Sequence, residues 1–163
     1  MIDNFVFDIR QLEKIHHFLK RRQETVSVAE SVTSGLLQAA LSQAEFASEF
    51  YQGGITTYNL GQKYKHLHVE PIHAEMTNCV SEKVTAEMAL NVCRLFNSEW
   101  GIAVTGYATP VPESGNKVFA FYAIAHGVKI VAKGKLVPEK KKPLQLQLQY
   151  VNSILKALAG KLK

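Results

Sequence analysis

The run Trp100-Gly101-Ile102-Ala103-Val104-Thr105-Gly106 has the length of a strand and almost no polar side chain. A strand with alternating apolar and polar residues can leave one face in water, whereas one that is apolar on both faces must be covered on both. The segment therefore predicts the centre of a sheet with helices on each side. The expected fold class is α/β, three layers in the order α/β/α, with a mixed sheet.

The flanking sequence supplies the other elements. Phe5, Ile9, Leu12, Ile15 and Leu19 recur at helical steps and predict one buried face, ending at Lys20-Arg21-Arg22, whose charge suits the negative end of a helix dipole. Residues 25–29 alternate as a strand, residues 31–35 form a polar turn, and residues 36–41 resume as a helix. A loop over 43–49 leads to a second strand over 54–58, after which Leu60, Tyr64 and Leu67 mark a short helix. Ser81 is an N-cap, with Glu82 in the first turn, for a helix whose buried face is Val84, Met88, Val92 and Leu95. Residues 118–125 and 128–136 predict two strands around a tight turn at His126-Gly127. Pro143 opens a final helix burying Leu144, Leu148, Val151, Leu155 and Leu158, although the Leu-Gln alternation over 144–149 also fits a strand.

A chain of 163 residues, 47% of them apolar, has enough material for one core and too little for two, so residues 1–163 read as a single domain. The net charge of +5 gathers at Lys20-Arg21-Arg22, at Lys140-Lys141-Lys142, and in a tail with Lys156, Lys161 and Lys163. No aromatic residues interleave with these lysines, so they read as solvated surface rather than a nucleic-acid interface. Cys79 and Cys93 read as ordinary thiols of a reducing compartment. Asp3, Asp8 and Arg10 interrupt any signal-peptide core, and no run has the length of a membrane span, so the expected location is cytoplasmic. His66, His68 and His73, with Glu70 and Glu75, match no metal-ligand spacing and read as a solvated loop, so neither metal nor cofactor is expected.

Two stretches carry candidate chemistry. Ala29-Glu30-Ser31-Val32-Thr33-Ser34-Gly35 places hydroxyls and backbone N–H groups at a strand-to-helix turn, where helix starts collect anions or are simply capped. Glu30, at the end of a buried strand, must be paired or hydrogen-bonded, and so either orients a ligand or locks the turn. The second stretch is GGITTYNLGQK, residues 53–63. On its own residues it reads blandly, with Tyr58 as a strand-end aromatic and Lys63 as a surface charge.

These two stretches, followed by GIAVTGYATP over residues 101–110, resemble the CinA C-terminal domain family, and the resemblance covers about residues 5 to 160. Its first motif reads approximately A-E-S-C-T-G-G, its second V-T-Y-S-N-E-A-K and its third S-G-I-A-G-P. Characterised members are nicotinamide mononucleotide deamidases, which implies an amidohydrolase acting on a small nucleotide, and a homo-oligomer. The family's catalytic serine lies ten residues before the motif tyrosine, and its lysine five residues after. The resemblance thus implies Ser48, Tyr58 and Lys63 as a catalytic relay, in which a desolvated lysine takes the serine proton directly or through the tyrosine. Glu30, Ser31, Thr33, Gly35, Asn59 and Gly106 are the residues it implies for substrate binding. This chain has Val32 and Ser34 where the first motif commonly has Cys and Gly, and few of the third motif's glycines after Gly106. Where the family tends to carry arginines, near the last helix, it has Lys140, Lys141 and Lys142.

Overall fold

The computed structural model describes residues 6–140 and 142–163. Its chain order begins with α1 (Ile9–Arg22), β1 (Val26–Glu30), α2 (Leu36–Ser42) and β2 (Tyr51–Thr56). It continues through α3 (Leu60–Leu67), α4 (Pro71–Met76), α5 (Glu82–Phe96) and β3 (Trp100–Gly106) to the hairpin β4 (Ala120–His126) and β5 (Lys129–Leu136), and ends in α6 (Pro143–Lys161). The five strands form one mixed sheet in the order β2-β1-β3-β4-β5. Both neighbours of β1 run parallel to it, and β4 and β5 are antiparallel.

The two-residue period of the strands sorts their side chains into two cores. Val26 and Val28 of β1 join Ile102 and Val104 of β3 in a cluster with α1, α2 and α6. Ala29 and Ala103 face the other way, into a cluster built by Leu67, Ala74, Val84, Met88 and Val92 from α3, α4 and α5. The small residues on this second face let α5 lie close to the sheet. Gly101 is the extreme case, since an added Cβ would fall 2.3 Å from the Ala89 carbonyl oxygen and 2.6 Å from the Cys93 sulfur.

Several helix boundaries follow from local chemistry. The Asp8 carboxylate accepts from the Gln11 N–H, the Asn59 side chain from Gln62, and Ser81 from Val84, so three helices begin at side-chain caps. The stretch expected as a solvated loop contains α4, which starts at Pro71 with Glu70 accepting the Ile72 and His73 N–H groups.

Other expectations shift. The second strand runs over Tyr51–Thr56 rather than 54–58, and β4 starts at Ala120. Ile9, Leu95 and Leu144, assigned to buried faces, are half exposed, because each sits at the margin of its helix's apolar stripe. The Leu-Gln alternation is helical, and its buried positions are Leu146, Tyr150, Val151, Ile154, Leu155 and Leu158. Phe5 and Lys141 lie outside the described residues. No described helix is long and apolar enough to cross a membrane.

Gly101→Ala tests the packing of α5 on the sheet. Because the closest atom is backbone, the extra methyl group forces the helix outward, and unfolding in urea should show a loss of about 3 kcal/mol.

Candidate functional site

Strand order places the site. The chain leaves β1 toward β2 on one side, and β3 pairs on the other, so the connections diverge at the carboxyl ends of β1 and β3. A crevice opens where such connections part. It is a cleft of about 690 Å³ whose lining includes Ser31, Tyr58, Asn59, Lys63, Thr105 and Gly106.

Ser31 follows the last residue of β1, and its N–H donates to the Val104 carbonyl at 3.1 Å, which fixes it against β3. Lys63 enters from α3 and is 1% exposed. Its Nζ donates to Ser31 Oγ at 3.0 Å and to the Thr57 carbonyl at 2.7 Å. Among the described residues no carboxylate pairs with it. An ammonium held by neutral acceptors away from water loses solvation without gaining a counter-charge. Burial accordingly pushes the Lys63 pKa down to about 8, with the Cys79 sulfur opposing the shift. A nearly buried hydroxyl therefore accepts from an amine whose pKa is lowered to about 8.

The other expected residues divide by role. Glu30 is fully buried, and its carboxylate accepts from the Thr33 hydroxyl, the Leu37 N–H at 3.1 Å and the Gln38 N–H at 3.0 Å. It locks the turn and satisfies the start of α2, as does Thr33 by donating to it. Gly35 stands at φ +96°, a conformation that suits a residue without Cβ. None of these three lines the cleft. Asn59 both caps α3 and lines it. Gly106 lines it and also lets β4 approach, since a Cβ there would fall 2.4 Å from the Phe119 carbonyl oxygen.

The expected Ser48, Tyr58 and Lys63 relay is not assembled in this arrangement. Tyr58 stands at the rim, 72% exposed, and its hydroxyl makes no hydrogen bond among the described residues. Ser48 is exposed on a short 3-10 turn, Ala47–Glu49, which precedes the amino end of β2. Lys63 lies beyond the carboxyl end of that strand, and six residues of strand separate its two ends by roughly 20 Å. The turn is held there by Glu49, which pairs with Lys20 at 3.0 Å and His16 at 3.3 Å.

Further lining residues come from long-range packing. Asn78 and Cys79 take consecutive left-handed conformations, and the Thr105 hydroxyl donates to the Cys79 carbonyl at 2.9 Å. Asn78 donates to the Tyr107 hydroxyl at 3.1 Å, and Tyr150 donates to the Tyr107 carbonyl at 2.9 Å. Gln147 of α6 donates to the Val32 carbonyl at 2.7 Å. Glu75 and Glu113 complete the rim, both exposed. Helical spacing through the Leu-Gln run is the one sequence signal that points Gln147 away from the buried stripe. Lys140 and Lys142 instead line a second cavity of about 790 Å³, on another flank of α6, with Asp8 and Lys156. His66 contacts Gln62 and His73 contacts Ser81. No group of three metal-ligating side chains occurs among the described residues.

The molecule is thus an α/β domain with a buried serine–lysine contact in the crevice at the carboxyl ends of its parallel strands. It belongs to the CinA C-terminal domain family, whose pattern matches residues 9–160. A CinA-like protein of Picosynechococcus is 37% identical over 111 residues, which are 68% of this chain and 26% of that protein. The chain spans about a quarter of the length of the curated relatives it matches. Among solved structures, a CinA superfamily protein from Escherichia coli superposes with a TM-score of 0.87 at 27% identity, covering 95% of this chain and 90% of that one. The competence damage-inducible protein A of Klebsiella pneumoniae gives a TM-score of 0.90 at 25% identity over 96% and 98% of the two chains.

Two stability measurements separate these roles. Glu30→Ala leaves the Leu37 and Gln38 N–H groups without their acceptor and should cost about 2–4 kcal/mol, whereas Ser31→Ala should cost far less. Lys63 has its folded pKa near 8 and an ordinary value of 10.5, so the unfolded chain binds the extra proton between those values. The penalty of burying it is complete below pH 8 and fades as pH rises to 10.5. Lys63→Met should therefore melt higher than wild type at pH 7, with an advantage that shrinks through that window.

Proposed function

We propose that the cleft hydrolyses a carboxamide to a carboxylate and ammonia, with Ser31 as nucleophile and Lys63 as its general base. The observation that carries this reading is the 3.0 Å contact between a buried amine and a serine hydroxyl in an open cleft. A serine hydroxyl is a poor nucleophile until a neighbouring base takes its proton. Lys63, with a pKa near 8, is that base without help from a third group.

In the reaction so read, neutral Lys63 takes the Ser31 proton while Oγ bonds to the amide carbon and the carbonyl electrons move to oxygen. The Lys63 ammonium then returns its proton to the leaving nitrogen, the carbon–nitrogen bond breaks, and ammonia departs from an acyl-serine. Water, deprotonated by the same amine, cleaves that ester and restores Ser31. The Thr57 carbonyl orients Lys63 throughout.

Family membership supports this chemistry, because characterised members deamidate nicotinamide mononucleotide, whose pyridine carboxamide is the reference group for the reaction. Ser48 takes no part in the reading, since β2 stands between it and Lys63. Tyr58, at the rim, is placed to contact the ring of a bound substrate rather than to relay a proton.

Ammonia release from pyridine carboxamides, followed with a coupled assay, tests the assignment. Ser31→Ala and Lys63→Met should each lose roughly a thousandfold or more in kcat/KM, while Ser48→Ala keeps most of its activity. Activity should rise with pH through about 8 and level off above it, because only the deprotonated amine accepts the serine proton. Full activity in Ser31→Ala, or loss confined to Ser48→Ala, would overturn it.

A further inference from the structure

We infer that the cleft selects a cationic or neutral carboxamide that carries no phosphate, a nucleoside-type amide rather than a nucleotide. This rests on the amide-hydrolysis reading of the same site and narrows its substrate.

Charge decides the selection. Of the residues that line the cleft, Lys63 is the sole cationic one among those described, and its ammonium is committed at the floor to Ser31 and to the Thr57 carbonyl. The remaining charged side chains of the lining are carboxylates, Glu75 on α4 and Glu113 after β3. Neither has a cationic partner among the described residues, so both present their charge to whatever enters. Gln147, an α6 side chain that reaches the cleft, is neutral and donates to the Val32 carbonyl. Lys140 and Lys142 serve the other cavity, and Lys142 does so although the next residue, Pro143, lines this one.

A phosphate monoester adds roughly two negative charges at neutral pH. Bringing it beside two carboxylates, with no arginine fork or free lysine among the described lining residues, is unfavourable, since like charges across an interface oppose binding. A pyridinium ring has the opposite sign. Glu75 and Glu113 attract it, and the rings of Tyr58 and Tyr107 offer π faces on which a cation is stabilised. The amide end then points to the floor, where Ser31 and Lys63 lie.

The test is a matched pair, nicotinamide riboside and nicotinamide mononucleotide, which differ only in the phosphate. Calorimetric binding to the wild-type chain at low salt should favour the riboside by at least about tenfold, and added salt should narrow the gap. The double variant Glu75→Gln/Glu113→Gln should abolish most of the preference, and both sites are exposed, so folding is not at stake. Equal or tighter binding of the phosphorylated partner, no binding of either, or a gap that the double variant leaves intact would overturn the inference. Preferential riboside binding without ammonia release retains it while removing the amide-hydrolysis reading. Ammonia release from both compounds with equal kcat/KM does the reverse.

Discussion

An ammonium group enclosed by protein without a counter-charge is the constraint around which this cleft is arranged. Glu30 directly precedes Ser31 in the chain, and a carboxylate facing Lys63 would have held the lysine charged and useless as a base. Instead the hydrogen bonds of the Glu30 carboxylate all go to the turn and the first N–H groups of α2. One residue along the strand reverses the direction of the side chain, so Glu30 builds the turn while Ser31 meets the amine. The low pKa of Lys63 thus depends on a neighbour whose charge is spent elsewhere.

How much of this is legible in the sequence follows from the range of each interaction. The buried run of β3 and the cap at Ser81 are local patterns that lie where expected, and the hairpin turn falls one residue later than expected, at Gly127-Val128. Helix α4 has six residues and a buried face of one alanine, too little for periodicity to register. Lys63 reads as a surface charge on its own residues and is singled out only by the family resemblance, and its partner is the serine of the first motif rather than the one before β2. Linear spacing carries no sense of direction across a sheet. A parallel strand must be entered from the far side, so a residue just before it and a residue just after it stand at opposite ends. Ser48 and Lys63 are such a pair, whereas Ser31 and Lys63 both follow strands that point the same way.

The cleft walls have unequal rigidity. The floor is the end of β3, held against β4 by the close approach at Gly106 and tied to the turn by the Ser31 N–H. The rim is made of short elements, α4 and the segment after Gly106, joined by single contacts such as Asn78 to Tyr107. The Ser31–Lys63 contact is therefore seated at the end of the sheet, and part of the rim is the segment after Gly106, which has few of the third motif's glycines.

The contact between Ser31 and Lys63 also spans a strand pairing, since one residue follows β1 and the other follows β2, one of the two edge strands. A displacement of β2 by a single residue would turn its side chains over and carry the Thr57 carbonyl and α3 away from Ser31. Edge strands are usually the members of a sheet that tolerate slippage best. Here an edge strand is the one whose alignment brings an amine to a serine hydroxyl, so the register of β2 and the burial of Lys63 stand or fall together.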